Sequence, residues 1–130
     1  LVSVRGTLGG VCVVHSDMAG WNISREVAMV DVKTDVVSAD FVALYIATNK
    51  AQSWLTGMLK GAAYKGINLS DLRKLELPLP TLEIQKEVIR EVNQVELSFR
   101  KCLTNYQSKL ADLDELRQSL LQKAFAGELT

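Results

Sequence analysis

Short, β-branched apolar runs occupy the start of the chain, and a three- and four-residue apolar recurrence occupies its last third. Leu1 to Arg5 and Val11 to His15 are two such runs, separated by Gly6-Thr7-Leu8-Gly9-Gly10, whose glycines supply the positive φ of a tight connection. The pattern predicts a hairpin there. After the turn-rich Asp17-Met18-Ala19-Gly20, the Val- and Ile-rich run Ile23 to Val32 predicts a third strand, with Arg25 and Glu26 at its beginning. Ser38 and Asp40 can accept from the free N–H groups of a helix that places Phe41, Leu44, Tyr45 and Thr48 on one face. A second helix over about Lys50 to Lys60 carries Trp54, Leu55, Met58 and Leu59, with Gly57 weakening it slightly. The glycine-punctuated, basic stretch Lys60-Gly61-Ala62-Ala63-Tyr64-Lys65-Gly66 reads as a loop. Ile67 to Leu69 is a candidate short strand, Ser70 caps one turn through Lys74, and Leu75 to Leu79 is a strand whose prolines suggest an edge.

From Leu82 to about Phe125 there is neither Gly nor Pro, and Val88, Val92, Val95, Phe99, Cys102, Tyr106, Leu110, Leu113, Leu116 and Leu120 fall on one stripe. Thr81 at the N-cap, Glu83 in the first turn, Lys123 in the last and Gly127 beyond it are the boundary signals of one helix. Such a helix is about 65 Å long, more than the preceding 80 or so residues could cover. Either a closed intrachain bundle or an intermolecular coiled coil could bury the stripe, and the presence of only one long helix favours the second. Two successive steps of four at Tyr106 and Leu110 predict a locally straight pairing. The expected fold class is therefore α/β (α+β), a small mixed sheet domain with short helices followed by one long coiled-coil-forming helix. Its divisions are residues 1–80, 81–126 and a tail at 127–130.

Apolar residues make up 48% of the 130, enough for a real core, and the formal net charge is zero. No bulk positive field therefore exists to drive non-specific nucleic-acid binding, and any such contact must come from a local patch. Cys12 and Cys102 are too few and too far apart for a disulfide frame or metal set, and read as free, buried thiols. The absence of an 18-residue apolar run, of a charged leader and of a cleavage site predicts no membrane span and a cytoplasmic protein. A start without Met on a strand-like run suggests that further chain precedes it.

His15 has no second ligand at metal-binding spacing and reads as a strand-end residue. There is no Gly-x-Ser-x-Gly elbow, no Cys/His pair, no phosphate loop and no dinucleotide fingerprint. Asp112, Asp114 and Glu115 lie on the polar face of the long helix as solvating charges. By elimination the chain binds something and is not an enzyme.

Residues 60–72, from Lys60 to Leu72, followed by Leu77-Pro78-Leu79-Pro80 and Glu83-Ile84-Gln85-Lys86-Glu87-Val88, resemble the specificity subunit of type I restriction-modification systems. Leu120-Leu121-Gln122-Lys123-Ala124-Phe125-Ala126-Gly127-Glu128-Leu129 strengthens the likeness, and Val4-Arg5-Gly6-Thr7-Leu8-Gly9 and Trp21-Asn22-Ile23-Ser24-Arg25-Glu26 resemble that family's target recognition domain. The resemblance implies that residues 1–80 are a recognition domain, incomplete at its N-terminus, that reads one half of a split site in double-stranded DNA. It implies an antiparallel coiled coil that sets the distance between halves. Modification subunits would use S-adenosylmethionine and restriction subunits would use ATP, so the chain itself needs no cofactor. A full-length member has two recognition domains and two long helices. This chain, with one helix, would be a piece of a longer subunit or a half-size subunit whose copies form a homodimer. The competing expectation is a structural adaptor that oligomerises through its helix, which zero net charge also allows.

Base edges are read chiefly by Arg, Lys, Asn and Gln, and phosphates by cations and N–H groups, so loops that combine these types with glycine are the first candidates. Three groups qualify: Arg5 and Thr7; Asn22, Ser24 and Arg25; and Lys60, Tyr64, Lys65 and Asn68. The plainer alternatives are strand-end charges for Arg5 and Arg25, a packing ring for Tyr64, a turn organiser for Asn68 and ordinary surface lysines for Lys60 and Lys65. Trp21 and Trp54 are assigned to the core.

Overall fold

β-branched residues pair over a much shorter stretch than their pattern predicts. The computed structural model describes residues 1–58 and 66–128, and contains β1 (Val2–Ser3), a 3₁₀ turn (Ser16–Met18), β2 (Val27–Ala28), α1 (Ala39–Ala47), α2 (Asn49–Gly57), α3 (Leu69–Leu72) and α4 (Leu82–Ala126). β1 runs antiparallel to β2 with Val2 opposite Ala28 and Ser3 opposite Val27. On its other side, Val2 makes a single bridge to Val11. The Ser3 N–H donates to the Gly10 carbonyl (2.8 Å), and the Gly9 and Cys12 N–H groups donate back to the carbonyls of Ser3 and Leu1 (2.9 and 3.0 Å). The expected hairpin thus closes around its glycines but stops at Cys12. Of the run Ile23 to Val32 only two residues pair, because the preceding backbone is spent on a turn in which Val27 N–H reaches Ser24 C=O (3.0 Å).

Thr48 joins the two short helices. Its N–H and hydroxyl both donate to Tyr45 C=O, ending α1, while Oγ1 accepts from Ala51 N–H (3.4 Å), starting α2. Ser38 occupies the N-cap of α1 without a side-chain cap bond, and the buried face there is Phe41 and Ile46. α2 ends at Gly57; Leu59 and Lys60, expected on it, lie outside the described residues. Val2, Ile46, Leu55 and Ile67 form the core, with Leu8, Val11, Val42, Trp54, Leu72 and Leu75 packed against it. Trp54 therefore sits where the sequence placed it.

Four expectations are corrected. Leu75 to Leu79 is unpaired, since Pro78 and Pro80 have no N–H to donate and no described strand lies beside them. Instead of a strand at Ile67 to Leu69, Gly66 makes one bridge to Arg5 and Leu69 opens α3. The cap of α3 is Asn68, not Ser70, with its carbonyl accepting from Asp71 and Leu72 N–H (both 3.0 Å). Cys12 and Cys102 are free but exposed.

Two compact units are present, Leu1–Ile89 and Arg90–Thr130. The first two turns of α4 belong to the first unit, and Gln85 within them is completely buried. Its Oε1 accepts from Ser38 N–H (2.9 Å), and its Nε2 donates to the carbonyls of Val36 (3.1 Å) and Pro80 (2.8 Å). One amide thereby ties together the entry to α1, the proline segment and the first turn of α4. Beside it, the Glu83 carboxylate is held below its ordinary pKa by its own backbone N–H, the Thr81 hydroxyl and the charge of Lys86. A lowered folded-state value means that this contribution is present above the usual carboxylate range and fades as pH falls through the lowered value.

The far end of α4 closes as a Schellman motif. Gly127, at φ +75°, donates to Ala124 C=O (3.2 Å), and Glu128 donates to Lys123 C=O (2.9 Å). Along the helix, the Ser98 and Thr104 hydroxyls donate to the carbonyls of Gln94 and Arg100, and Arg100 clasps Glu96 at 2.6 Å.

Replacing Gln85 by Ala strands three backbone groups. It should lower the stability of the first unit by about 2 to 4 kcal/mol, whereas Gln107→Ala on exposed helix surface should change it by less than about 0.5 kcal/mol. Urea unfolding followed by Trp54 emission compares the two.

Candidate functional site

Val4 is the crossing point of the polar loops. Its side chain is buried, its N–H donates to Glu26 C=O (2.9 Å), and its C=O accepts from Ile67 N–H (2.9 Å). Immediately after it, Arg5 bridges Gly66, and Gly6 turns with φ +66° against the Glu26 carboxylate. The backbones of residues 5–7, 22–26 and 66–68, widely separated in sequence, are thus stitched into one edge.

The segments these bonds join carry the described members of all three candidate groups. Thr7 is exposed and its carbonyl accepts from the Ser3 hydroxyl. Asn22, Ser24 and Arg25 are exposed, and Ser24 Oγ accepts from Glu26 N–H (3.2 Å), which shapes their turn. Arg5 is half-buried at the bridge, and Asn68 is exposed with no side-chain cap bond. Lys60, Tyr64 and Lys65 lie outside the described residues.

Glycine is obligatory at two places on the edge. A Cβ on Gly66 would stand 3.2 Å from Val4 C=O and 2.8 Å from Arg5 Cγ, so a side chain would push the two bridged segments apart. Gly9, at φ +78°, is buried under Gln52, whose Nε2 donates to Gly9 C=O (3.0 Å) and Ile46 C=O (2.7 Å). Gln52 therefore fixes the glycine loop to α2, a role with no signal in a single sequence.

Trp21 was expected in the core and is 72% exposed. The turn that carries it is closed locally, by Trp21 N–H on Met18 C=O (3.1 Å), so no packing partner is needed to hold it. His15 is exposed at the start of the 3₁₀ turn. Among the described residues no group of three His, Cys, Asp or Glu could hold a metal ion. A groove of about 490 Å³ runs between Val11–Val14, Met29–Val32 and α1, lined mainly by aliphatic side chains. It offers no convergent set of polar groups for chemistry on a small molecule.

The ten stripe residues of α4 are all exposed on the single chain, from Val88 at 37% to Val95 at 69%. At about 100° per residue they fall within an arc of about 120°, a third of the helix circumference, and so form one continuous apolar face. Among the described residues no helix is long and apolar enough to cross a membrane.

Residues 1–102 match the type I restriction modification DNA specificity domain. The chain belongs to that family. Among relatives of this specificity domain, the EcoBI specificity subunit of Escherichia coli, a type I restriction enzyme, is 34% identical over 130 residues, all of this chain and 27% of that one. The EcoDI specificity subunit of Escherichia coli is 31% identical over 94 residues, 72% of this chain and 21% of its own. The EcoKI specificity subunit of Escherichia coli strain K12 is 28% identical over 92 residues, 70% and 20%. The chain thus spans about a fifth to a quarter of the length of these relatives. No solved structure matches it.

A Gly66→Ala substitution should open the edge without unfolding the core. Amide exchange at Ile67 should accelerate at least about tenfold, since its bond to Val4 C=O is lost, while Leu55 in α2 keeps its protection. Equal protection of Ile67 in both proteins would contradict the close approach described.

Proposed function

We propose that this chain is the sequence-specific DNA recognition component of a type I restriction-modification complex, reading one half of a split target. The observation that supports the reading is the backbone pairing of Val4 with Glu26 and Ile67 and of Arg5 with Gly66, which joins the segments that carry Arg5 and Thr7, Asn22, Ser24 and Arg25, and Asn68, within a chain of the DNA specificity family. Arginines and asparagines on loops held by backbone pairing are the groups that reach guanine and adenine edges in a major groove. Lys60 and Lys65 extend this set toward phosphates, and Tyr64 toward base or sugar packing. Residues 1–80 form the recognition domain, and residues 81–126 the spacer helix, with 127–130 as a tail.

In this reading the chain is non-catalytic. Methylation with S-adenosylmethionine and ATP-dependent cleavage belong to separate modification and restriction subunits, which it positions on DNA in the cytoplasm. The exposed stripe of α4 pairs antiparallel with a second long helix, that of another copy in a homodimer or of a longer parent chain.

Retardation of a random-sequence duplex pool over a salt series, with and without the modification subunit, tests the reading. Binding should weaken steeply with salt, and Arg25→Ala should reduce the slope of log K against log salt by about one. Absence of retardation under both conditions would favour the adaptor, which zero net charge permits. Replacing Phe99 and Leu113 together by Glu should reduce the sedimenting mass from two chains to one; equal mass for variant and parent would remove the pairing role.

A further inference from the structure

We infer that Trp21 is an apolar DNA contact, taking deoxyribose and thymine-methyl surface beside the polar groups of its own loop; this rests on the DNA reading above. The indole is 72% exposed, while the turn beneath it is ordered by Gly20 at φ +83° and by the Trp21 N–H bond to Met18 C=O. The loop thus holds a large ring in water without using it for its own folding. A Trp presents roughly 150 to 250 Å² of surface, costly to leave wet unless something covers it.

Its neighbours indicate what covers it. Asn22, Ser24 and Arg25 are exposed around it, and the loop is tied through Glu26 C=O to Val4, next to Arg5. A large apolar ring among hydrogen-bonding and cationic side chains matches a groove in which methyl groups alternate with donors, acceptors and phosphates. An apolar protein surface would be matched instead by adjoining large apolar side chains; of the apolar residues in this loop Met18 is partly covered and Ala19 is small, which leaves Ile23 as the one large exposed neighbour in it.

The test uses the full chain with a random-sequence duplex pool and with the same pool carrying uracil in place of thymine. Trp21→Ala should bind the thymine pool on the order of tenfold more weakly, the effect of uncovering one aromatic side chain, with an unchanged salt slope. Trp21→Phe should stay within about twofold of the parent. The parent, but not Trp21→Ala, should lose affinity on the uracil pool. Should Trp21→Ala bind like the parent while Arg25→Ala binds weakly, DNA reading stands and the role of Trp21 falls, leaving the indole to a protein partner. Should the parent retain no duplex either with or without the modification subunit, both fall. If the alanine variant fails to fold, Trp21→Phe with the uracil comparison decides alone: parental affinity that ignores the thymine methyl overturns the inference.

Discussion

One buried amide ties the start of the long helix to the rest of the first unit. A helix start leaves several backbone N–H groups without partners, and a proline segment leaves carbonyls with no ladder to join. Gln85 meets three such groups at once, Ser38 N–H and the carbonyls of Val36 and Pro80. Glutamine suits this place because its one side chain carries both a donor and an acceptor, whereas Glu would present only acceptors and Leu neither. The amide is fully buried and fully used, the condition under which a buried polar group specifies structure instead of weakening it.

The second constraint is apolar supply. Nearly half the residues are apolar, yet few of them are buried among the described residues. Much of the surplus lies on the α4 stripe, at Val14, Met29 and Val30 beside the groove, and at Trp21. Apolar surface exposed to this extent is of the kind that partner surfaces cover.

Recognition then follows from economy in the backbone. Val4 uses its N–H on Glu26 and its carbonyl on Ile67, so a single residue brings together loops from three distant parts of the chain. Gly66 permits the approach because a Cβ would meet Val4 C=O. Thr7, Asn22, Ser24, Arg25 and Asn68 are exposed while the main chain beside them is paired at Val4.

Local rules determined α4 almost to the residue. Its apolar recurrence, the Thr81 and Glu83 start and the Gly127 stop are all short-range, and the helix runs Leu82–Ala126 with a Schellman close. The glycine turns at Gly6 and Gly20 were also legible, since turn glycines are local signals. What the tertiary structure alone decided are the pairings across long separations: Gln85 with Ser38, Gln52 with Gly9, Arg5 with Gly66. Strand length belonged there too, because a β-branched run becomes a strand only where a partner's N–H and C=O groups face it, and beyond Cys12 and Ala28 the described residues provide none. Trp21 marks the same boundary: hydrophobicity argued for burial, but its turn closes on its own backbone and leaves the ring outside.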